Sequence, residues 1–150
     1  MTFNFRPALY RNSTLFELPR PITTLRVLDA WDFEQFKVPL ADGDRLYGHS
    51  RAGIDLSIEG RTGTHAGILC ATEETMLDTL SLLGEAFDIT SDEDRYELFL
   101  YHDEASGTYR KYRSCATVRF EYDLSSPHLF TWSAVIHAED PRLYTTAPGV

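Results

Sequence analysis

Five histidines, two cysteines, an Asp-Gly-Asp turn and several Gly-rich stretches are the features of this 150-residue chain that could carry chemistry. The histidines are His49, His65, His102, His128 and His137. None stands in an HExxH pair or any other metal-ligand spacing, so they read as surface or strand-end residues. Asp42 and Asp44 resemble the opening of a calcium loop, but "DGDRLYGHSRAG" supplies no further acidic ligand and no Glu at its twelfth position. In "GHSRAG" Ser50 follows Gly48 by two, yet the next glycine is Gly53 and a strand follows, so a hydrolase elbow fails. "GRTGTHAG" lacks the lysine of a phosphate loop. Cys70 and Cys115 have no histidine and helix start beside them that would make a nucleophile. They are far apart in sequence and in apolar surroundings. They read as free, buried thiols, with a disulfide as the alternative, and too few for zinc. No acid, base and oriented nucleophile come together, so the residues leave an interaction module as the expectation.

Composition narrows the class further. The chain is 43% hydrophobic and 25% charged, which is ordinary for one globular domain and leaves enough apolar surface for a core. Eight Tyr and nine Phe favour sheet over helix. A net charge of -9 repels phosphates, so no specific nucleic-acid surface is expected; the same charge suits a wall past which DNA slides. No apolar run approaches the ~20 residues of a membrane-spanning helix. The first residues, "MTFNFRPALYRNSTLF", lack the apolar stretch of a signal peptide, so folding in a reducing cytoplasm is expected.

The elements that must position these residues are mostly strands. Residues 1–21, with Pro7, Pro19 and Pro21, read as a short strand at "FNF" followed by an extended arm. "TTLRVLDAWDF" reads as a strand, "ADGD" as a turn and "YGHSRAG" as a loop. In "GIDLSIEG" Ile54, Leu56 and Ile58 alternate with Asp55, Ser57 and Glu59, a half-buried strand that Gly60 and Gly63 should end. "ATEETMLDTLSLLGEAF" predicts a helix over 72–87: Thr72 caps it, Glu73 and Glu74 complement its dipole, and Met76, Leu80, Leu83 and Phe87 share a face with Leu77 beside them. "DRYELFLYHD", "TYRKYRS", "CATVRFEYD" and "HLFTWSAVIHAED" predict consecutive antiparallel strands. The sum is a mostly β, single-domain chain: an antiparallel β-sandwich or curved sheet flanked by one helix.

This order of elements resembles the distal tail protein family of long-tailed bacteriophages and the wider tail-tube-like group. The likeness spans about residues 20–145. It rests on the Gly/Arg-rich loop leading into "GIDLSIEGRTG", the helix, the hairpin "RYELFLYHDEASGTYRKYRS", the strand "CATVRFEYD" and the close "FTWSAVIHAEDPRLY" with its Asp-Pro-x-x-Tyr. The resemblance implies a tail-tube-like fold, six copies in a ring at the lower end of a virion tail, tube proteins above, baseplate hub or fibre proteins below, and DNA through the hole. It implies assembly in the host cytoplasm, no cofactor and no catalysis. Members often carry a second, C-terminal module; a chain of 150 residues is expected to lack it and to have a structural role. Trp31, Phe33, Tyr47, His49 and Arg51, aromatic and cationic residues in expected turns and loops, are the candidate subunit contacts. A major tail tube or tail-completion protein on the same fold is one alternative. A small monomeric β-sandwich enzyme or ligand-binding protein is another.

Overall fold

The computed structural model describes residues 6–19, 21–29, 31–37, 44–51, 53–65, 68–69 and 72–150, with backbone alone at 31–37, 44–51, 64–65 and 69. Along the chain run β1 (Ala8–Arg11), β2 (Thr14–Glu17), β3 (Ile22–Leu28), β4 (Trp31–Lys37), β5 (Asp44–Arg51), β6 (Ile54–His65), β7 (Ile68–Leu69), α1 (Glu73–Phe87), β8 (Tyr96–Asp103), β9 (Thr108–Ser126) and β10 (Leu129–Ala138). Seven strands form one curled antiparallel sheet in the order β2-β1-β8-β9-β10-β6-β3, β7 pairs with β6, and β4 and β5 form a separate hairpin. The curved, mostly β architecture with one flanking helix is the one the sequence pattern predicts.

One face of the sheet is apolar because β6 and β10 alternate in phase. Ile54, Leu56 and Ile58 of β6 lie beside Ile136 and Ala134 of β10, all buried. The apolar stripe of α1 (Met76, Leu80, Leu83 and Phe87) covers this face. Phe87 packs on Phe120 and Trp132, with ring centroids 5.4 and 6.2 Å apart. The helix begins as its sequence predicts: the Thr72 hydroxyl accepts the Thr75 N–H, and Glu73 and Glu74 stand in the first turn. Leu77, beside the stripe, is half exposed.

Five local features depart from the sequence expectations. Within the segment read as an arm, residues 8–17 form the β1–β2 hairpin. Arg11 pairs with Thr14 across a two-residue loop in which Asn12 and Ser13 both have positive φ (49° and 63°), the left-handed turn that matches strand twist; the expected "FNF" strand lies outside the described residues. β6 runs through both glycines that were expected to end it. Gly60 pairs with Trp132, and a Cβ on Gly60 would stand 2.6 Å from the indole ring; the glycine leaves the space that the tryptophan fills. "TYRKYRS" and "CATVRFEYD" are one 19-residue strand, β9. Arg113 and Ser114, the latter at φ 54°, stand opposite Glu97 as a bulge, and there the strand passes from pairing with β8 to pairing with β10. "TTLRVLDAWDF", read as one strand, is divided between β3 and β4, which belong to different sheets. Finally, His102, read with the other histidines as a surface or strand-end residue, stands next to the end of β8 and is buried there, which lowers its pKa. Cys115 is buried and free, with its thiol pushed up to about 12 by burial, which leaves it inert; Cys70 lies outside the described residues.

Past β10 the chain continues along β9, past Ser114 to Lys111. Asp140 opens a tight corner: its carboxylate accepts the Arg142 N–H at 3.0 Å and the Tyr144 hydroxyl. Tyr144 then exchanges backbone hydrogen bonds with Lys111 at 2.9 and 2.8 Å, and the Arg113 guanidinium stacks 4.2 Å over its ring. The Asp-Pro-x-x-Tyr of the sequence is therefore a folded corner docked on the sheet.

Two outcomes are expected. Gly60→Ala should cost about 1–3 kcal/mol in denaturant unfolding by overpacking, and less in a Trp132→Phe background where the ring is smaller. The Tyr144 hydroxyl bond, with Arg142 and Arg113 nearby, holds the Asp140 carboxyl below its usual range. Its stabilisation is thus full above the unfolded value near about 4 and is lost as pH falls through the lower folded value. Asp140→Asn should flatten the fall in melting temperature between about pH 5 and pH 2 relative to wild type; identical acid profiles would contradict this.

Candidate subunit interface

A strand has two hydrogen-bonding edges, and the pairing in this sheet leaves several unfilled among the described residues: the outer edge of the short terminal strand β2, and edges of β3 and β9. β10 and β6 are paired on both sides. β3 pairs with β6 through Arg26–Ser57, Val27–Leu56 and Leu28–Asp55, and its other edge has no strand among the described residues. β9 is used unevenly. Its first half pairs with β8 as far as Tyr96–Cys115; its second half pairs with β10 from Cys115 to Ser126. Beyond the contact of the Tyr96 and Thr117 hydroxyls at 2.7 Å, the β8-side edge of residues 118–126 has no strand among the described residues. Strands β3, β6, β10 and the second half of β9 thus make a four-stranded block with an open edge on each side.

Apolar side chains mark both edges. On β3, Val27 is 42% exposed and Leu28 63%; on β9, Tyr122 is 54% exposed, with Val118 and Leu124 also exposed. Register assigns the faces. Val27 lies opposite buried Leu56, and Tyr122 opposite buried Trp132, so both extend the helix-covered face past the helix. An apolar edge left open in this way is a template for another strand.

The opposite face of the block is polar. It presents Asp55, Ser57 and Glu59 from β6, Thr131, Ser133 and His137 from β10, and Arg119, Glu121 and Asp123 from β9, with half-buried Val135 among them and Leu28 at the β3 margin. Arg26 and Arg61 add charge. The signs are mixed: Arg119 pairs with Glu121 at 2.9 Å, and His137 lies 2.7 Å from Asp55. The face therefore presents both charge signs, where the net charge of -9 alone pictures a wall of carboxylates.

The five contacts expected from sequence are brought together, though on a different element. Trp31 and Phe33 lie in β4, and Tyr47, His49 and Arg51 in β5, so "YGHSR" is strand where a loop was expected. Trp31 pairs with Arg51 and Glu34 with Tyr47, with an irregularity around Phe33. The turn expected at 41–44 lies outside the described residues up to Asp44, where β5 starts. The hairpin continues the β3–β6 ladder in sense: Leu28 pairs with Asp55, and Trp31 next pairs with Arg51. Sequence reasoning missed the open edges at Val27, Leu28 and Tyr122. Their alternation was visible, but an edge is defined by which strand is absent beside it, which only the register shows. Among the described residues, no group of three or more His, Cys, Asp or Glu side chains could hold a metal ion.

No protein-family profile matches the chain, and no curated protein matches it in sequence. Solved structures do match. The Dit protein of phage SPP1, described as a paradigm of the hub adsorption apparatus in phages infecting Gram-positive hosts, aligns with TM-score 0.64 at 10% identity, over 93% of this chain and 52% of that one. A chain of the native gene transfer agent virion aligns with TM-score 0.53 at 10% identity, over 94% and 95% of the two chains. A chain of the gene transfer agent tail, solved with C6 symmetry, aligns with TM-score 0.51 at 10% identity, over 95% and 96%. The present chain spans about half the length of SPP1 Dit and nearly all of the gene transfer agent chains. It has the tail-tube-like fold that SPP1 Dit and these gene transfer agent chains share.

Proposed function

We propose that this chain is a structural subunit of a phage-type tail, a distal tail protein whose copies close a six-membered ring between tail tube and baseplate hub. The observation that carries this reading is the pair of open edges on one four-stranded block. The edges differ, so copies join head to tail, and the curl of the sheet turns such a chain of copies into a ring. The β3 edge of one copy lies along residues 118–126 of the next. The apolar side chains Val27, Leu28, Tyr122 and Leu124 are then covered, and the polar face lines the hole through which DNA passes. Pairs such as Arg119–Glu121, with Asp55, Glu59 and Asp123 on the same face, weaken the hold that its arginines have on passing phosphates. The β4–β5 hairpin, with Trp31, Phe33, Tyr47, His49 and Arg51, contacts the adjacent copy or the ring above or below. The hub or fibre proteins and the tube protein are the partners, the virion tail is the location, and no bond is made or broken.

A second reading has its own support. The chain also aligns with a chain of the gene transfer agent tail solved with C6 symmetry, which fits a tube or completion subunit as well. A tube subunit polymerises into cylinders; a distal subunit stops at one ring. Negative-stain images and solution mass separate the two.

Two predictions follow the edges and the hairpin. Val27→Lys and Tyr122→Lys, made separately, should each abolish rings while changing stability by no more than about 0.5–1 kcal/mol. Mixed in equal amounts they should form dimers, because one copy keeps its β9 edge and the other its β3 edge; a mixture that stays monomeric, or variants that still close rings, would contradict the edge pairing. Combined Trp31→Ala, Tyr47→Ala and Arg51→Ala should weaken association in sedimentation by about 2 kcal/mol or more, with an unchanged circular dichroism spectrum.

A further inference from the structure

The first half of β9 also has an edge facing away from β8, and the chain itself fills it. Tyr144 pairs with Lys111 in both directions, and the Glu139 N–H donates to the Ser114 carbonyl at 3.1 Å. What holds this strap is a buried cation. The Lys111 ammonium is fully buried and donates to both oxygens of Glu97 at 3.0 Å, to the Ala147 carbonyl at 2.8 Å and to the Val150 backbone oxygen at 3.0 Å. Residues 147–150, "APGV", form a tight turn closed by the Val150 N–H on the Ala147 carbonyl at 3.1 Å, with Pro148 at its second position and Gly149 at φ +79° in its third. The Gly149 N–H donates to Glu97 at 3.1 Å, and a Cβ there would stand 3.1 Å from the Tyr10 hydroxyl. Glu97 and Lys111 thus grip the turn as acceptor and donor together. Arg113 adds bonds to Thr146, at 3.2 Å, and to the Val150 oxygen. An ammonium without its full set of partners is expensive to keep out of water, so strap and cation stay or leave together.

We propose that residues 139–150 are an edge guard. They occupy the β9 edge at Lys111 by intramolecular pairing, and so deny that edge to a strand of a second copy. The partner excluded is an extended strand of another copy of this chain. A sheet with that edge open could add copies in a direction that does not close, and would grow without limit. The guard's purpose rests on the ring reading; its existence and its effect on association do not.

The test compares the full chain with Gly149→Ala and with Lys111→Met, by hydrogen exchange with mass spectrometry and by light scattering. Release of the strap should speed exchange in 108–114 and 139–150 by about tenfold or more, the loss of about one to two buried hydrogen bonds, while α1 and β6 stay protected. Each variant should also form open-ended species larger than any wild-type assembly. Should Lys111→Met unfold the whole chain, seen as lost protection in α1 and β6, Gly149→Ala decides. Unchanged strap exchange in both variants, or release without larger species, overturns the proposal. A wild type that stays monomeric counts against the ring alone, because the variants' gain in size is scored against wild type in whatever state it takes.

Discussion

Every strand edge in a sheet must be paired, covered or left as a place for something else to bind, and in this molecule that constraint falls mainly on β9. Nineteen residues of one strand pair with β8 along the first half and with β10 along the second, and the bulge at Arg113 and Ser114 makes the exchange. The exchange leaves one edge free on each half, on opposite sides. The first is covered from within, by the corner at Asp140 and Tyr144 and the turn gripped by Lys111. The second stays open among the described residues, facing away from β10, at the far side of a block whose other border is β3.

The core answers to the same arrangement. The helix covers the centre of the apolar face, where Phe87 meets Phe120 and Trp132, and leaves the margins at Val27 and Tyr122 to be covered by something else. A monomer would gain by making those margins polar, since exposed apolar strand edges invite aggregation. Keeping them apolar, on edges of different sequence, is consistent with head-to-tail joining of copies. Rigid pairing of β6 and β10 on both sides makes the middle of the block a fixed unit around which such joints could be repeated.

How much of this was legible beforehand follows from what each residue needs. The helix could be read because its signals are local: Thr72, Glu73 and the 3–4 spacing of Met76, Leu80, Leu83 and Phe87. The inward face of β6 could be read from alternation through Ile58, but its continuation past Gly60 could not. That glycine is in the strand because Trp132, seventy-two residues on, fills the space above it. The β1–β2 turn had a local sign in Asn12, a residue that tolerates positive φ, which the prolines around it obscured. Nothing local in "YRKYRS" marks Lys111 as buried; its burial depends on Glu97 and a turn thirty-six residues away. The interface candidates at Trp31 and Tyr47 were chosen for residue type and proved to share one hairpin. The edges at Leu28 and Tyr122 depend on register, which no single segment contains.

The central claim is that copies join through the β3 edge and residues 118–126 of β9. Its most direct measurement is the hydrogen-exchange rate of those backbone amides in the wild-type chain as concentration rises through the range where mass increases. Protection should appear together in 22–28 and 118–126, with no change in amides of β6 that are already paired. Assembly that leaves both segments exchanging at their dilute rates, or a chain that remains single at every concentration, would contradict it.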